Sequence, residues 1–277
     1  MSKLTKIALL TCWYGDFPWY FPYYVHSCSF NSTIDFYIIT DNTVEIPNKP
    51  NNLIIINKKL EEIKILASTK LRFEVSLDYA FKLNDFKPAY AFLFPEIFDG
   101  YKYWGQCDLD IIYGDIRGFL TEDILNSYDY LSMRHDYTTG CFSLYKNTEK
   151  INTLFMKSKD YKFVLSSYDS WCFDECSEMG YRPLGEGKTI FEFKTVIESF
   201  THVVRTAEFM NEIRAHFDFI LFEGNPGKLV FDNGKVIYKR QMEGIMYHLI
   251  NFKKKRSEFR IPKKIPNKYS ISATKIY

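Results

Sequence analysis

The chain has 277 residues, 46% apolar and 25% charged, a composition that folds around a core and excludes a disordered chain. Lys and Arg number 36 against 34 Asp and Glu, so the net charge of +2 excludes a general nucleic-acid binder, and no nucleic-acid partner is expected. Aromatic residues make up 18%, enough to fill a core and to line clefts.

The charge is unevenly spread. Residues 253–277 hold nine basic side chains and one acid, Glu258, which leaves −6 on residues 1–252. A basic tail on a mildly acidic body suits contact with an anionic surface, and equally a solvated, frayed end. Apolar residues run only from Ile7 to Leu10 near the start, too short for a signal-peptide core, and no run of 18 apolar residues occurs. The six cysteines are scattered without a CxxC pair, as reduced thiols of a cytoplasmic protein would be.

KIALLTCW (6–13) is a short apolar run and reads as a buried strand, closed by a Gly- and Pro-containing loop. A helix follows after Pro22. IDFYIITD (34–41) and NLIIIN (52–57) read as two more buried strands, and KKLEEIKILASTKL (58–71) has helical spacing. This alternation predicts an open, largely parallel α/β sheet. Ligands of such sheets sit beyond the carboxyl ends of the strands. Those ends are Thr11 to Tyr14 and Thr40 to Asn42, which places Asp41 to meet a ribose or base edge, or simply to close its strand as an Asx turn.

Residues 79–98 predict an apolar helix interrupted by Pro88. Lys82 and Lys87 within it are expected to snorkel to the surface, with Lys87 also close ahead of the next motif. The strand Tyr103-Trp104 then runs into Cys107-Asp108-Leu109-Asp110. Carboxylates at i and i+2 of an extended segment share a side and repel unless a cation lies between them. Such an oxygen pair suits Mn²⁺ or Mg²⁺, ions that often also hold substrate phosphates.

Asp129 to Met133 and CFSLY predict two strands joined through Gly140, which either admits a ligand backbone contact or makes an ordinary turn. His135 and Asp136 lie in that loop with no matching motif. Residues 148–167 predict a helix. Asp174 and Glu175, preceded by aromatic residues, are joint candidates for a general base with its pKa raised by burial, or for charges at a helix start. FDFILFEGN (217–225) reads as a strand, and Asn233-Gly234 between alternating runs predicts a hairpin.

Taken in order, ITD (39–41), KLNDFKPAY (82–90), WGQCDLDIIYGDI (104–116), TTGCFSLYKN (138–147), FDE (173–175) and MYHL (246–249) resemble the GT-A class of nucleotide-sugar glycosyltransferases, most closely the bacterial members that build polysaccharides. The resemblance implies a GT-A-like, Rossmann-like sheet with helices on both faces. It implies one catalytic domain over 1–252, with a nucleotide-binding half (about 1–115) and an acceptor-binding half (116–252), and a basic tail over 253–277. It gives Asp108 a ribose or metal contact, Asp110 and His248 metal ligation, Asp41 a base or ribose contact, and Lys87 a contact to the sugar or diphosphate. Gly140 would line the donor-sugar and acceptor pocket, beside Thr11 and Tyr14, which their place at a strand's carboxyl end already sets toward a ligand. Asp174 or Glu175 would deprotonate the acceptor in an inverting transfer.

The expected cofactor is Mn²⁺ or Mg²⁺. The expected partners are a UDP-sugar, a glycan or lipid-linked acceptor, and an anionic membrane surface through 253–268 at the inner face of the cell membrane. The rival reading is a non-catalytic nucleotide- or carbohydrate-binding protein that stacks ligands on Trp13, Trp19, Trp104 and Trp171. A sugar-phosphate nucleotidyltransferase fits less well, because the first loop, TCWYGDFPWY (11–20), has a single Gly and no basic residue.

Overall fold

Strand β1 (Ile7–Cys12) sends Ile7 and Leu9 into one apolar cluster and Ala8 and Leu10 into another. A strand covered on both faces needs apolar residues at consecutive positions, which is why its sequence shows no alternation. A computed structural model describes residues 4–254 and 262–277. Strands β2 (Ile34–Thr40), β3 (Leu53–Asn57) and β4 (Tyr103–Cys107) join β1 in a sheet. So do β6 (Tyr130–Ser132), β7 (Phe142–Lys146) and β8 (Ala215–Phe217), while β5 (Ile111–Tyr113) leaves it.

The order of this seven-stranded sheet is β3-β2-β1-β4-β7-β6-β8. β1 runs parallel to β2 and β4, β2 to β3, and β6 to β8; β7 is antiparallel to both its neighbours. The fold is therefore α/β with a mostly parallel central sheet. Helix α1 (Phe21–Ser29) packs on one face, and helix α2 (Leu60–Leu71) and a late helix, Phe200–Phe209, pack on the other.

Two smaller sheets complete the first face. β5 pairs with β13 (Met246–His248), which pairs with β9 (Leu221–Glu223). β10 (Leu229–Asp232), β11 (Lys235–Tyr238), β12 (Met242–Gly244) and β14 (Lys268–Ile271) form a sheet in the order β12-β11-β10-β14. The predicted hairpin is β10–β11, and Asn233 (φ 49°) and Gly234 (φ 87°) both take the left-handed conformation that a tight two-residue turn requires.

Several elements differ from expectation for local reasons. The 79–98 stretch is a 3₁₀ segment over Ala80–Ala89 followed by one α turn, Tyr90–Leu93. Pro88 has no N–H to give to an α-helical bond. Neither lysine of this segment snorkels: Lys82 is fully buried and Lys87 nearly so. The 148–167 helix is broken at Ser158, whose Oγ donates to the Glu198 carbonyl at 2.6 Å while the Lys159 N–H donates to the Glu198 carboxylate. Such side chain–backbone bonds compete with the helix ladder. The 217–225 run splits between β8 and β9, in two different sheets.

Much of the basic segment is built into the fold. β14 pairs with β10, Tyr269 stacks on Phe231 at 4.9 Å, and Ile265 and Ile271 are buried. Lys268 pairs with Asp232 at 2.5 Å, and Lys253 reaches Asp110. The membrane contact expected of 253–268 rests in part on residues 255–261, which lie outside the described residues.

Candidate active site

The carboxyl ends of β1 and β4 open onto a cavity of about 280 Å³ lined by Thr11, Tyr14, Tyr20, Lys87, Tyr90, Asp108, Asp110 and Lys253, among others. The Asp-Leu-Asp segment is bent rather than extended. It has to bend, because β4 belongs to the central sheet and β5 to the small sheet beneath, and Leu109 turns into the core between them. The bend still brings the two carboxylates to one place. Asp108 is tied to β7 through its N–H to the Cys141 carbonyl (3.0 Å), and Asp110 to β13 through the Leu249 N–H (2.8 Å).

The three-stranded sheet then supplies the rest. His248 and Glu223 are direct register partners across β13 and β9, and Asp110 immediately precedes β5 on the other side. One ligand atom each from Asp108, Asp110 and His248 lie within 4.8 Å of one another. His248 Nε2 is 3.4 Å from Asp110 Oδ2, and Nδ1 is 3.5 Å from Glu223 Oε2 without a hydrogen bond.

Two carboxylates and an imidazole, with a third carboxylate 3.5 Å behind the ring, are a donor set suited to Mn²⁺ or Mg²⁺. Burial opposes the Asp110 charge, yet His248 and Lys253 outweigh it and hold the carboxyl below its usual range. Burial likewise opposes protonation of His248, while Cys141, Asp110 and Glu223 raise its pKa well above the ordinary value. The Cys141 thiol is itself pushed up to about 11 by burial and stays neutral, so the carboxylates supply the negative charge.

Lys87 bridges the cluster to the acid pair. Its Nζ donates to Asp108 Oδ1 (2.7 Å) and to the Gly140 carbonyl (3.0 Å), and lies 3.5 Å from Asp174 Oδ2. Burial disfavours its charge, but Asp108 and Asp174 more than compensate and hold it protonated. Gly140 is neither a free turn nor an open wall. Its N–H donates to Glu175 Oε1 at 2.8 Å, and a Cβ there would stand 2.5 Å from Asp174 Oδ2. The missing side chain is what lets both acids approach the loop ahead of β7.

Asp174 and Glu175 differ in outlook. Asp174 packs behind Lys87, whereas Glu175 lines a second cavity of about 550 Å³ together with Arg134, Tyr137, Tyr181, Glu223 and His248. Tyr181 donates its hydroxyl to Glu175 Oε2. Burial raises the pKa of both carboxyls.

Thr11 spends its hydroxyl on the Cys107 carbonyl (2.7 Å) and ties β1 to β4. Tyr14 presents a buried hydroxyl with no hydrogen-bond partner among the described residues, as a group awaiting a ligand does. Asp41 is exposed and outside the cavity lining; its Oδ1 accepts the Gly15 N–H (3.0 Å) and so fixes the loop after β1.

Five neighbours were not read from the sequence as site residues: Arg134, Tyr137, Tyr181, Glu223 and Lys253. Glu223 and Arg134 each stand at or just past the end of a very short strand, and their sheet partners are distant in the chain. The available signal was position, a charged residue beyond a strand end, as for Asp41.

Residues 9–277 match the model of a family described as of unknown function, DUF6625. The chain belongs to the DUF6625 family. No curated protein matches it. Among solved structures, it is similar to the galactosyltransferase LgtC in complex with donor and acceptor sugar analogues, at 12% identity and a TM-score of 0.33, covering 60% of this chain and 67% of that one. It is similar to the apo form of the glycosyltransferase GlyE of Streptococcus pneumoniae TIGR4, at 11% identity and a TM-score of 0.40. That match covers 94% of this chain, which spans 57% of GlyE. An active-site mutant of LgtC matches at 10% identity and a TM-score of 0.35, over 80% of this chain and 76% of that one.

Proposed function

We propose that this protein is a metal-dependent glycosyltransferase that moves a sugar from a nucleotide-diphosphate donor, a UDP-sugar, to a hydroxyl of a glycan or lipid-linked glycan in surface polysaccharide synthesis. One observation carries the reading. The Asp108–Asp110–His248 cluster sits where two cavities meet, its aspartates lining the first and its histidine the second, with the half-buried Glu175 carboxylate also lining the second. A binding protein has no use for a partly desolvated carboxylate beyond its ligand-holding cluster; an inverting transferase needs a base there.

Asp108, Asp110 and His248 would hold Mn²⁺ or Mg²⁺, whose chemistry is to neutralise charge on the departing diphosphate. The chain's own groups do the rest. The first cavity takes the nucleotide, with Tyr14 offering its unpaired hydroxyl. Lys87 and Lys253, each already beside a cluster carboxylate, add positive charge toward the diphosphate. Glu175 accepts the proton of the acceptor hydroxyl, and Gly140 N–H and Tyr181 OH fix its orientation. Attack from the Glu175 side, opposite the leaving diphosphate, inverts the anomeric centre. The test is turnover of a panel of UDP-sugars with Mn²⁺ and simple glycoside acceptors, with the product's anomeric configuration read by NMR. Inverted product is expected. Tight nucleotide binding with no transfer to any acceptor contradicts the enzyme reading, and retained configuration contradicts the role given to Glu175.

A further inference from the structure

We propose that the 550 Å³ cavity on the Glu175 side seats an uncharged sugar ring of the acceptor and rejects acidic sugars there; this rests on the glycosyltransferase reading and adds the substrate class. The volume lies within the range of small-molecule sites, about 300–1,000 Å³, and suits one or two sugar rings. Two features of the lining choose among sugars.

The first is charge. Glu175 and Glu223 both face the cavity. Arg134, the guanidinium in this lining, is already engaged on every side. Its Nε and Nη2 donate to the two Asp136 carboxylate oxygens (2.9 and 2.8 Å), and its Nη1 donates to Glu223. Its carbon centre lies 4.6 Å from the Tyr137 ring centroid and 5.4 Å from that of Phe219. Among the described lining residues His248 is taken up by the cation cluster, so a sugar carboxylate or phosphate would meet two acids without a free cation to receive it, and like charges brought together in a partly buried site cost affinity.

The second is shape. Tyr137 and Tyr181 are half-buried rings set 5.5 Å apart at 76°, forming a corner. An aromatic face gives a large, rigid apolar surface, and a sugar ring has an apolar C–H face to lay on it. Tyr181 also donates to Glu175, so a ring seated in this corner has a hydroxyl next to the carboxylate. Glu223 and Arg134 thus do two things: Glu223 backs His248, and the pair sets the charge of the acceptor side.

The test measures binding of three probes to the full-length protein held with UDP and Mn²⁺: methyl glucoside, methyl glucuronide and glucose 6-phosphate, by saturation-transfer NMR titration. UDP binding is followed in the same samples. Methyl glucoside is expected to bind at least about tenfold tighter than either acidic probe, a gap of about 1.4 kcal/mol. Tyr137→Ala is expected to weaken it by a similar factor, while Tyr137→Phe, which keeps the ring and guards against misfolding, retains it. Equal affinity for neutral and acidic probes, or undiminished binding to a folded Tyr137→Ala, overturns the proposal. Loss of UDP binding in the wild type would instead overturn the glycosyltransferase reading, so the two failures are distinguishable.

Discussion

Adjacent acids in one sequence occupy different surroundings here, and the difference assigns their work. Asp174 is buried against Lys87 and serves to hold that ammonium in place, whereas Glu175 opens onto the second cavity with two donors on its carboxylate. Glu175→Gln keeps the shape but cannot take a proton. It is expected to lower kcat by about 10²–10⁴-fold and leave UDP affinity unchanged, measured by steady-state kinetics and calorimetry. A near-normal kcat would place the base elsewhere. Burial raises the Glu175 pKa, so the active, ionised form is lost as pH falls through a value above that of an ordinary glutamate. The acidic limb of kcat/KM is therefore expected above the usual carboxylate range. A limb at an ordinary glutamate value would contradict this. Asp108, Asp110 and Glu175 were legible in the sequence because each stands in a short polar interruption of apolar runs, and His248 through the resemblance carried by MYHL (246–249). Arg134, Tyr137 and Tyr181 were not. Their significance comes from meeting Glu175 and Glu223 across distant loops, and no local pattern encodes that meeting.

The 3₁₀ segment Ala80–Ala89 explains how the acid pair is held. Lys82 Nζ donates to Asp85 Oδ2 (2.9 Å) and to the carbonyls of Val164 (2.7 Å) and Asp169 (2.5 Å). Asp85 in turn accepts the backbone N–H groups of Trp171 (3.0 Å) and Phe173 (2.8 Å). This fully buried pair clips the loop that carries Asp174 and Glu175 to the segment that carries Lys87. Removing one partner strands a buried charge. Asp85→Ala is expected to cost about 3–5 kcal/mol in urea unfolding, and Lys82→Met/Asp85→Leu much less, because it removes both charges. An Asp85→Ala protein as stable as wild type would show that the clip is not structural. The sequence pattern could not show this element. Aromatic residues around Lys82 and Lys87 suggested a surface, but their ammonium groups turn inward because carbonyls and carboxylates await them there. The central strands were legible because they are long apolar runs. The three-residue strands β5 and β13 were not, since three residues carry no period, and β9 was read only as part of a longer run, although together they place Asp110, Glu223 and His248 in one cluster.

At the scale of the whole molecule, the carboxyl ends of the parallel strands and the small sheet beneath them converge on one cluster between two cavities. The C-terminal segment closes the design: β14 completes the four-stranded sheet, and Lys253 lies on Asp110 at 2.6 Å, at the wall of the first cavity. The central claim is that Asp110 belongs to a cation site that binds a nucleoside diphosphate. The most direct measurement is calorimetric titration of UDP into the full-length protein, with and without Mn²⁺, for wild type and Asp110→Asn. Binding that requires Mn²⁺ and weakens at least about tenfold in Asp110→Asn is the expected result, a loss of about 1.4 kcal/mol. UDP affinity that is the same with and without Mn²⁺, or the same in a folded Asp110→Asn protein, would contradict it.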